Sequence, residues 1–484
     1  MIDPSFKRAT IQSFFWKFVE RAGNQIIMLA VQIVMARLLS PNEFGMLAIM
    51  IVFINIGNVI VQSGLNTGLI QIGKVRDSDY STVFWMSFAV SVLLYLGIFV
   101  SAPAIADFFE LPGLVWPLRV LTLNLVINSY SAIQIAKVAR IMDFKKIFVA
   151  TIFSAVISGV LGVTVALLDG GLWALVIQQL SYQLVNALVL SFQVPWLPRF
   201  EFHPDRAALL FRFGWKLLVS GLLDTGYQSL SDLIIGKRFS SADLGQVSQG
   251  NKYPQALGVS IDSAIQPVLL SAVSRLQDDV VKVRQVVRRS LMTSTYVVFP
   301  AMAMLAVTAE PVTRMLLGEQ WMPAVPFMQM FCFLYALWPI HTTNLQALNG
   351  MGRSDIFLKL EIVKKLVGLP VLLTTAFVIG NIYAIVIGTL VADILETYIN
   401  ARPAGKILGY PYLKQVRDVA PAFGVALLSA LVALPLGLLS LSDAALIATQ
   451  VLVFAGSYVG FSRILRIEAF TYLFSTLKGY RTLR

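Results

Sequence analysis

The sequence predicts an all-α polytopic membrane protein: about fourteen transmembrane helices, in two pseudo-symmetric six-helix lobes, with two further helices at the C-terminal end. Three observations predict it. Charged residues are 13% of the 484, where soluble proteins carry about 25%. Hydrophobic residues are 57% and the mean hydropathy is +0.75. The apolar residues also fall in unbroken blocks. Val83–Ala106, Ile147–Leu168 and Leu366–Ala392 hold no charge, and a helix of about 20 such residues crosses a ~30 Å hydrocarbon layer. Barrel strands would be shorter and would alternate polar with apolar residues.

In chain order the spans are 11–38, 44–69, 81–106, 113–136, 147–168, 171–193, 209–236, 243–270, 289–309, 323–349, 357–379, 381–401, 418–439 and 443–462. Turn signals part them: Ser40-Pro41-Asn42, Leu111-Pro112-Gly113, Asp169-Gly170-Gly171 and Gly380-Asn381. Pro254, Pro267, Pro300, Pro339 and Pro370 lie in spans or near their ends, where a missing N–H kinks a helix. The first ten residues are short and polar with no small-residue cleavage site, so no removable signal is expected.

Net charge is +12, and its placement explains it. With the N-terminus inside, Lys7, Arg8, Lys74, Arg76, Lys137, Arg140, Lys145, Lys146, Arg199 and Arg206 fall on the inner side. So do Arg275, Lys282, Arg284, Arg288, Arg289, Arg353, Arg402, Lys406, Lys414, Arg417 and the bases beyond Arg463. Only Arg37, Lys237, Arg238 and Arg314 fall outside. That asymmetry orients the chain with both termini in the cytoplasm. It directs the positive charge at anionic lipid, not nucleic acid. The tail 463–484 mixes Phe470, Tyr472 and Phe474 with bases and reads as an interfacial helix.

The chain repeats itself about 200 residues on. Phe15-Trp16-Lys17 opens span 1 and Gly214-Trp215-Lys216 opens span 7; Ser40-Pro41-Asn42-Glu43-Phe44-Gly45 is answered by Ser240-Ser241-Ala242-Asp243-Leu244-Gly245. Asn55, Gln62 and Asn66 of span 2 match Gln255, Asp262 and Gln266 of span 8. Six helices separate the copies, so both enter the membrane from one side, a parallel repeat. The expected organisation is an N-terminal lobe at 1–195, a cytoplasmic linker at 196–205, a C-terminal lobe at 206–402, added spans at 403–462 and the tail at 463–484.

No Walker A, GxSxG, HExxH or GxGxxG sequence is present, and no gap between spans has room for a catalytic domain. The one cysteine, Cys332, sits in an apolar run, and the two histidines are His203 and His341. Neither an enzyme nor a bound cofactor or metal is expected. What stands out is polar groups on helix faces at membrane depth. Span 1 carries Lys17, Arg21 and Asn24; span 2 Asn55, Asn58, Gln62 and Asn66; span 4 Arg119, Asn124 and Asn128. Span 7 carries Lys216, Asp224 and Tyr227; span 8 Gln255, Asp262 and Gln266; span 10 His341 and Asn344. A three-to-four spacing keeps such residues on one face. A charge at mid-bilayer costs at least ~2.5–3.5 kcal/mol and normally faces a cavity or partner. The plainer reading is hydrogen bonding that holds helices together. Together the stripes suggest a hydrated, base-lined cavity suited to an anionic substrate. Asp224 and Asp262 are candidates for a coupling proton or cation. Glu361 with Lys364 and Lys365 reads as structural, and Asp393 and Glu396 are left unassigned.

Ala36-Arg37-Leu38-Leu39-Ser40-Pro41 with Glu43-Phe44-Gly45, then Leu317-Gly318-Glu319-Gln320-Trp321, then Gly352-Arg353-Ser354-Asp355 running into Lys359-Leu360-Glu361 occur in that order. In these the chain resembles the polysaccharide-transporter (Wzx-like flippase) branch of the multidrug/oligosaccharidyl-lipid/polysaccharide exporter superfamily. The resemblance covers nearly the whole chain. It implies a flippase that moves undecaprenyl-pyrophosphate-linked repeat units across the bacterial inner membrane by alternating access. It also implies lipid-linked oligosaccharide, membrane lipids and the polysaccharide polymerase and chain-length machinery as partners. The family has no universal catalytic signature, so the candidate residues come from the stripes. Lys17, Arg21, Arg119 and Lys216 would meet pyrophosphate or acidic sugar, and the Asn and Gln of spans 2, 4 and 8 would meet sugar hydroxyls. Rival readings are a lipid II-type flippase, a cation-coupled multidrug exporter with more acidic, aromatic faces, a membrane polymerase or ligase with a large outer loop, and a non-transporting scaffold.

Overall fold

A computed structural model of the chain describes residues 23–62, 69, 76–141 and 143–482. Among them every regular element is helical and no strand occurs. Among the described residues eleven helices are long and apolar enough to cross a membrane. Three expected spans are not among the eleven. The described part of the first is the short helix α1, Gly23–Leu38. The fourth is divided, and the seventh carries Asp224 and Asp232 in its middle.

The chain separates into two compact units, Met1–Gly245 and Gln246–Arg484. In the first, α2 (Pro41–Gln62) follows α1, and α3 (Asp77–Phe109) follows α2. Asp77 and Asp79 lie in the first turn of α3, where carboxylates meet the positive end of the helix dipole. Asp79 also accepts from the backbone N–H of Arg76 at 3.0 Å. Beyond a 3-10 turn at Pro112–Leu114 come α4 (Val115–Leu121) and α5 (Leu123–Ile141). The break at Thr122 coincides with its hydroxyl donating to the Leu118 carbonyl at 2.6 Å, a back-bond that bends helices.

The α6 (Phe144–Leu167) and α7 (Leu172–Gln193) pair packs closely. Ser154, Ser158, Gly159 and Gly162 lie on the buried face of α6. A Cβ on Gly162 would come within 2.8 Å of the Gln178 Cβ. Small residues let membrane helices approach, since lipid offers no hydrophobic driving force between them. Last comes α8 (Pro204–Arg238), preceded by a linker bound to α3. The Trp85 indole donates to the Arg199 carbonyl at 2.8 Å, and the Arg199 and His203 N–H groups donate to Ser81 and Thr82. Arg206 grips buried Asp79 through two nitrogens, at 2.7 and 2.6 Å.

The second unit runs from α9 (Ser241–Arg275), whose first turn belongs to the first unit, through α10 (Val280–Val307) and the short α11 (Ala309–Leu316). A 3-10 segment leads to α12 (Val325–Ala336) and α13 (Trp338–Gly350). The tenth span therefore breaks at Leu337, as the fourth breaks at Thr122. Here Pro339 lacks the N–H that would continue the ladder. α14 (Ser354–Leu373) carries Pro370 and continues as a π turn over Thr374–Ile379. α15 (Ile382–Leu408), α16 (Tyr412–Ala433) and α17 (Asp443–Ile464) complete the spans. The tail forms α18 (Glu468–Thr482), anchored where Arg288 pairs with both Glu468 and Asp418 at 2.9 and 2.8 Å. Of the expected kinks, Pro254, Pro267, Pro300 and Pro370 lie inside helices, while Pro339 sits in the first turn of α13.

The turns before α2 and α9 repeat in three dimensions as they do in sequence. Ser40 donates its N–H and its hydroxyl to the Glu43 carboxylate at 2.7 and 3.0 Å. Two hundred residues on, the Ser240 hydroxyl donates to Asp243 at 2.7 Å and accepts the Asp243 N–H at 3.0 Å. Both are variants of the serine–acid capping arrangement.

Candidate functional site

In each unit the polar residues converge on the second half of the broken span. In the first unit this is α5. Asn128 donates to the Asn58 carbonyl oxygen on α2 at 2.7 Å and accepts from Gln183 on α7 at 3.1 Å. The same Gln183 amide lies 3.0 Å from the Ser131 hydroxyl. One turn further along, Gln134 donates to Ser191 at 3.1 Å, and Ser191 donates to the Tyr130 hydroxyl at 3.3 Å. Asn24 on α1 accepts from Tyr182 at 3.4 Å. The Asn124 oxygen is buried without a hydrogen-bond partner among the described residues.

In the second unit the hub is α13, and three nearby side chains reach three different helices. His341 approaches Asn400 and Asp393 on α15 at 2.7 and 3.3 Å. The Thr342 hydroxyl donates to Asp262 on α9, which also accepts from Gln266. Asn344 exchanges reciprocal amide bonds with Gln415 on α16 at 2.8 and 3.0 Å. All are buried or nearly so, in a setting where an unpartnered polar group costs about 1–3 kcal/mol. Lys364 and Glu361 on α14 form a 2.6 Å pair, and the electrostatic neighbours of Glu396 on α15 are Lys364, Asp393, His341 and Lys365.

The structure brings together Asn58 with Asn128, Asp262 with Gln266, and His341 and Asn344 on one short helix. Other candidates it places apart. Arg119 donates to the Phe99 carbonyl at 3.0 Å and lies over the Phe99 and Trp116 rings at 4.3 and 4.9 Å. Asp224 accepts from Gln228 on its own helix at 2.9 Å, and Tyr227 is half-buried beside it. Asn55, Gln62 and Gln255 are exposed. Lys17, Arg21, Asn66 and the Lys216 side chain lie outside the described residues.

Sequence reasoning missed Gln183, Gln415 and Asn400, and left Asp393 unassigned. None stood alone: Gln183 shares α7 with Gln179 and Asn186, Gln415 lies beside Lys414 and Arg417, and Asp393, Glu396, Thr397 and Asn400 recur at three-to-four spacing on α15, a stripe that went unread. The signal is polarity at membrane depth, which applies to a single residue as much as to a row.

The sequence profile of a family described as polysaccharide biosynthesis protein matches residues 34–326. The chain is 25% identical to the succinoglycan biosynthesis transport protein ExoT of Rhizobium meliloti (strain 1021), over 70% of this chain and 69% of that one. It is 22% identical to the lipopolysaccharide biosynthesis protein WzxC of Escherichia coli (strain K12), over 90% of this chain and 89% of that one. Its fold is similar to that of the lipid II flippase MurJ in an inward closed conformation. There the TM-score is 0.76 at 11% identity, covering 94% of this chain and 98% of the flippase.

Proposed function

Since the chain belongs to the polysaccharide biosynthesis protein family, within the multidrug/oligosaccharidyl-lipid/polysaccharide exporter superfamily, we propose that it flips lipid-linked oligosaccharide repeat units across the bacterial inner membrane. Export would proceed by alternating access, for surface polysaccharide biosynthesis, with both chain termini in the cytoplasm. The observation that carries this reading is the match, over more than two thirds of the chain, to a succinoglycan biosynthesis transport protein and to a lipopolysaccharide biosynthesis protein.

The chemistry agrees. A pyrophosphate bearing several sugars cannot enter hydrocarbon unaided, because each unpaired polar group and each charge costs several kcal/mol there. Asn and Gln on helix faces replace the water of sugar hydroxyls, while Lys and Arg replace the counterions of the pyrophosphate. In this reading Lys17, Arg21, Arg119 and Lys216 meet the phosphates. Asn24, Asn55, Asn58, Gln62, Asn66, Asn124, Asn128, Tyr227, Gln255 and Gln266 meet sugar. Asp224 and Asp262 bear on coupling. The repeat points to lobes at 1–195 and 206–402, with 403–462 added. The polymerase and chain-length machinery would act on the delivered units.

Deleting the gene tests the reading. Lipid-linked repeat units should accumulate on the cytoplasmic face and surface polysaccharide should disappear, with both defects reversed by the intact gene. Unchanged polysaccharide together with raised dye sensitivity would overturn it in favour of drug export. Lipid II is the second reading, favoured by the fold shared with its flippase. It predicts loss of cell-wall synthesis with polysaccharide precursors unaffected.

A further inference from the structure

His341 is nearly buried, with 13% of its side chain exposed, and it faces Asp393, itself 16% exposed. The Nδ1 atom lies 2.7 Å from the Asn400 amide nitrogen. An amide NH2 donates and never accepts, so Nδ1 accepts and the ring's single proton sits on Nε2, toward the Asp393 carboxylate 3.3 Å away. The remaining oxygens, Asn400 Oδ1 and Asp393 Oδ2, are buried without hydrogen-bond partners among the described residues. Neither Asn400 nor Asp393 thus spends its full bonding capacity in this arrangement.

A second proton on the ring would use that spare capacity. It would bond to Nδ1 and, as the amide stands, point at the Asn400 N–H groups. Half a turn of the amide brings Oδ1 to face it instead. The two ends of an amide are nearly equal in size, so the turn needs no change in packing. Nδ1 then has a partner on Asn400 in either protonation state, and the amide orientation reports which one is present.

Charged groups lie around the ring. On α14, Glu361 pairs with Lys364, and Lys365 is close by; on α15, Asp393 and Glu396 add two carboxylates. On α9, Asp262 is bound to Thr342, the residue after His341. The charged groups of α10 turn elsewhere: Arg288 to Asp418 and Glu468, and Arg289 to Tyr472. From α16, the Tyr412 hydroxyl meets Thr397, and from α12 Tyr335 stacks edge-on against Trp338.

We propose that His341, with Asp393 and Asn400, is a proton-binding site of the second unit that couples proton movement to export. It rests on the transport reading above and gives His341 a part in energy coupling. The bound species is a proton, since the imidazole nitrogen at the centre of the site takes a proton readily and is a poor ligand for hard monovalent ions. The uptake step forms one N–H bond at Nδ1 and breaks it on release to the other side. No other group is consumed.

Because the chain has only two histidines, the site can be watched directly. The test is histidine-selective 15N NMR of the full chain in lipid nanodiscs, with His203→Gln leaving one imidazole. The expected result is the Nε2–H form at high pH, giving way to the doubly protonated ring as the pH falls. Asp393→Asn should move the midpoint. A ring that keeps one form throughout, or a midpoint indifferent to Asp393→Asn, overturns the proposal. In a deletion strain, His341→Gln and Asp393→Asn should reach the membrane at normal levels but lose export. Wild-type export should stop when nigericin collapses the pH gradient; export that follows sodium instead overturns the coupling. A wild-type gene that restores no polysaccharide defeats the transport reading itself, while the imidazole titration still reports on the proton site.

Discussion

Gly45 lies against the backbone carbonyl of Ser241, so that a Cβ placed on it would overlap the carbonyl oxygen. Its counterpart 200 residues on, Gly245, lies in the same way against the Pro41 carbonyl, and the Ser241 hydroxyl donates to Asn42 beside them. The two equivalent turns therefore touch through equivalent glycines. Any side chain there has to part backbone from backbone, the most costly kind of overlap to relieve.

The first prediction concerns this contact. Gly45→Ala or Gly245→Ala should cost about 1–3 kcal/mol, the usual range for overpacking, read as a lowered melting temperature in detergent. Asn42→Cys with Ser241→Cys should cross-link in the presence of both glycines and lose yield when either is alanine. Equal cross-linking in all backgrounds would contradict the contact.

A second prediction follows from Glu110, the left-handed cap residue of α3, which the Lys237 ammonium holds below the usual carboxylate range. The side chains meet at 2.8 Å. A carboxyl lowered in the folded state stabilises above its unfolded pKa, near 4.5, and loses that contribution as pH falls through the folded value. Wild type and Glu110→Gln should differ by a small, constant amount at neutral pH. Their melting temperatures should converge as the pH drops below about 4. A gap that widens in acid would have the wrong sign.

Arg206 and Asp79 supply the third. Asp79 is 1% exposed and its carboxylate is gripped at both oxygens. Arg206→Ala would leave a buried charge without its partner. That should cost about 3 kcal/mol, the low end for such pairs, because a third of the arginine side chain is exposed. Asp79→Asn in the same background should recover part of the loss, as measured by thermal unfolding or by the amount of protein in the membrane.

The fourth concerns substrate. Arg21→Ala and Lys216→Ala should abolish polysaccharide export while leaving the protein level intact, since removing a cation from a phosphate contact does not open a cavity in the packing. Wild-type export in both would remove the cationic role assigned to these positions. Asn344→Ala is the contrast. Its amide is spent on Gln415, so it should lower thermal stability more than it lowers export per folded molecule.

Much of the fold was legible. Uncharged blocks announced the helices, Pro and Gly turns parted them, and the doubled Ser-Pro-Asn-Glu and Ser-Ser-Ala-Asp turns announced the repeat. The break in spans 4 and 10 was not read. Thr122 bends its helix through a back-bond that an apolar pattern hides, and Pro339 was read as a kink when it marks a fresh start. Of the candidate site, the stripes on spans 2, 4, 8 and 10 led to Asn58, Asn128, Asp262, Gln266, His341 and Asn344. Arg119 was legible as a charge near a span end, but its attachment to the Phe99 carbonyl was not.

By itself the sequence determined the class of solvent each segment meets, because hydropathy and charge are properties of single residues summed along a helix. It also determined which residues share a helix face, because that follows from 3.6 residues per turn. Only the tertiary structure decided which face meets which. The pairing of His341 with Asp393 and Asn400, or of Asn128 with Gln183, depends on where two helices cross and at what rotation. Packing of the whole bundle sets both, and no periodicity within one helix encodes them.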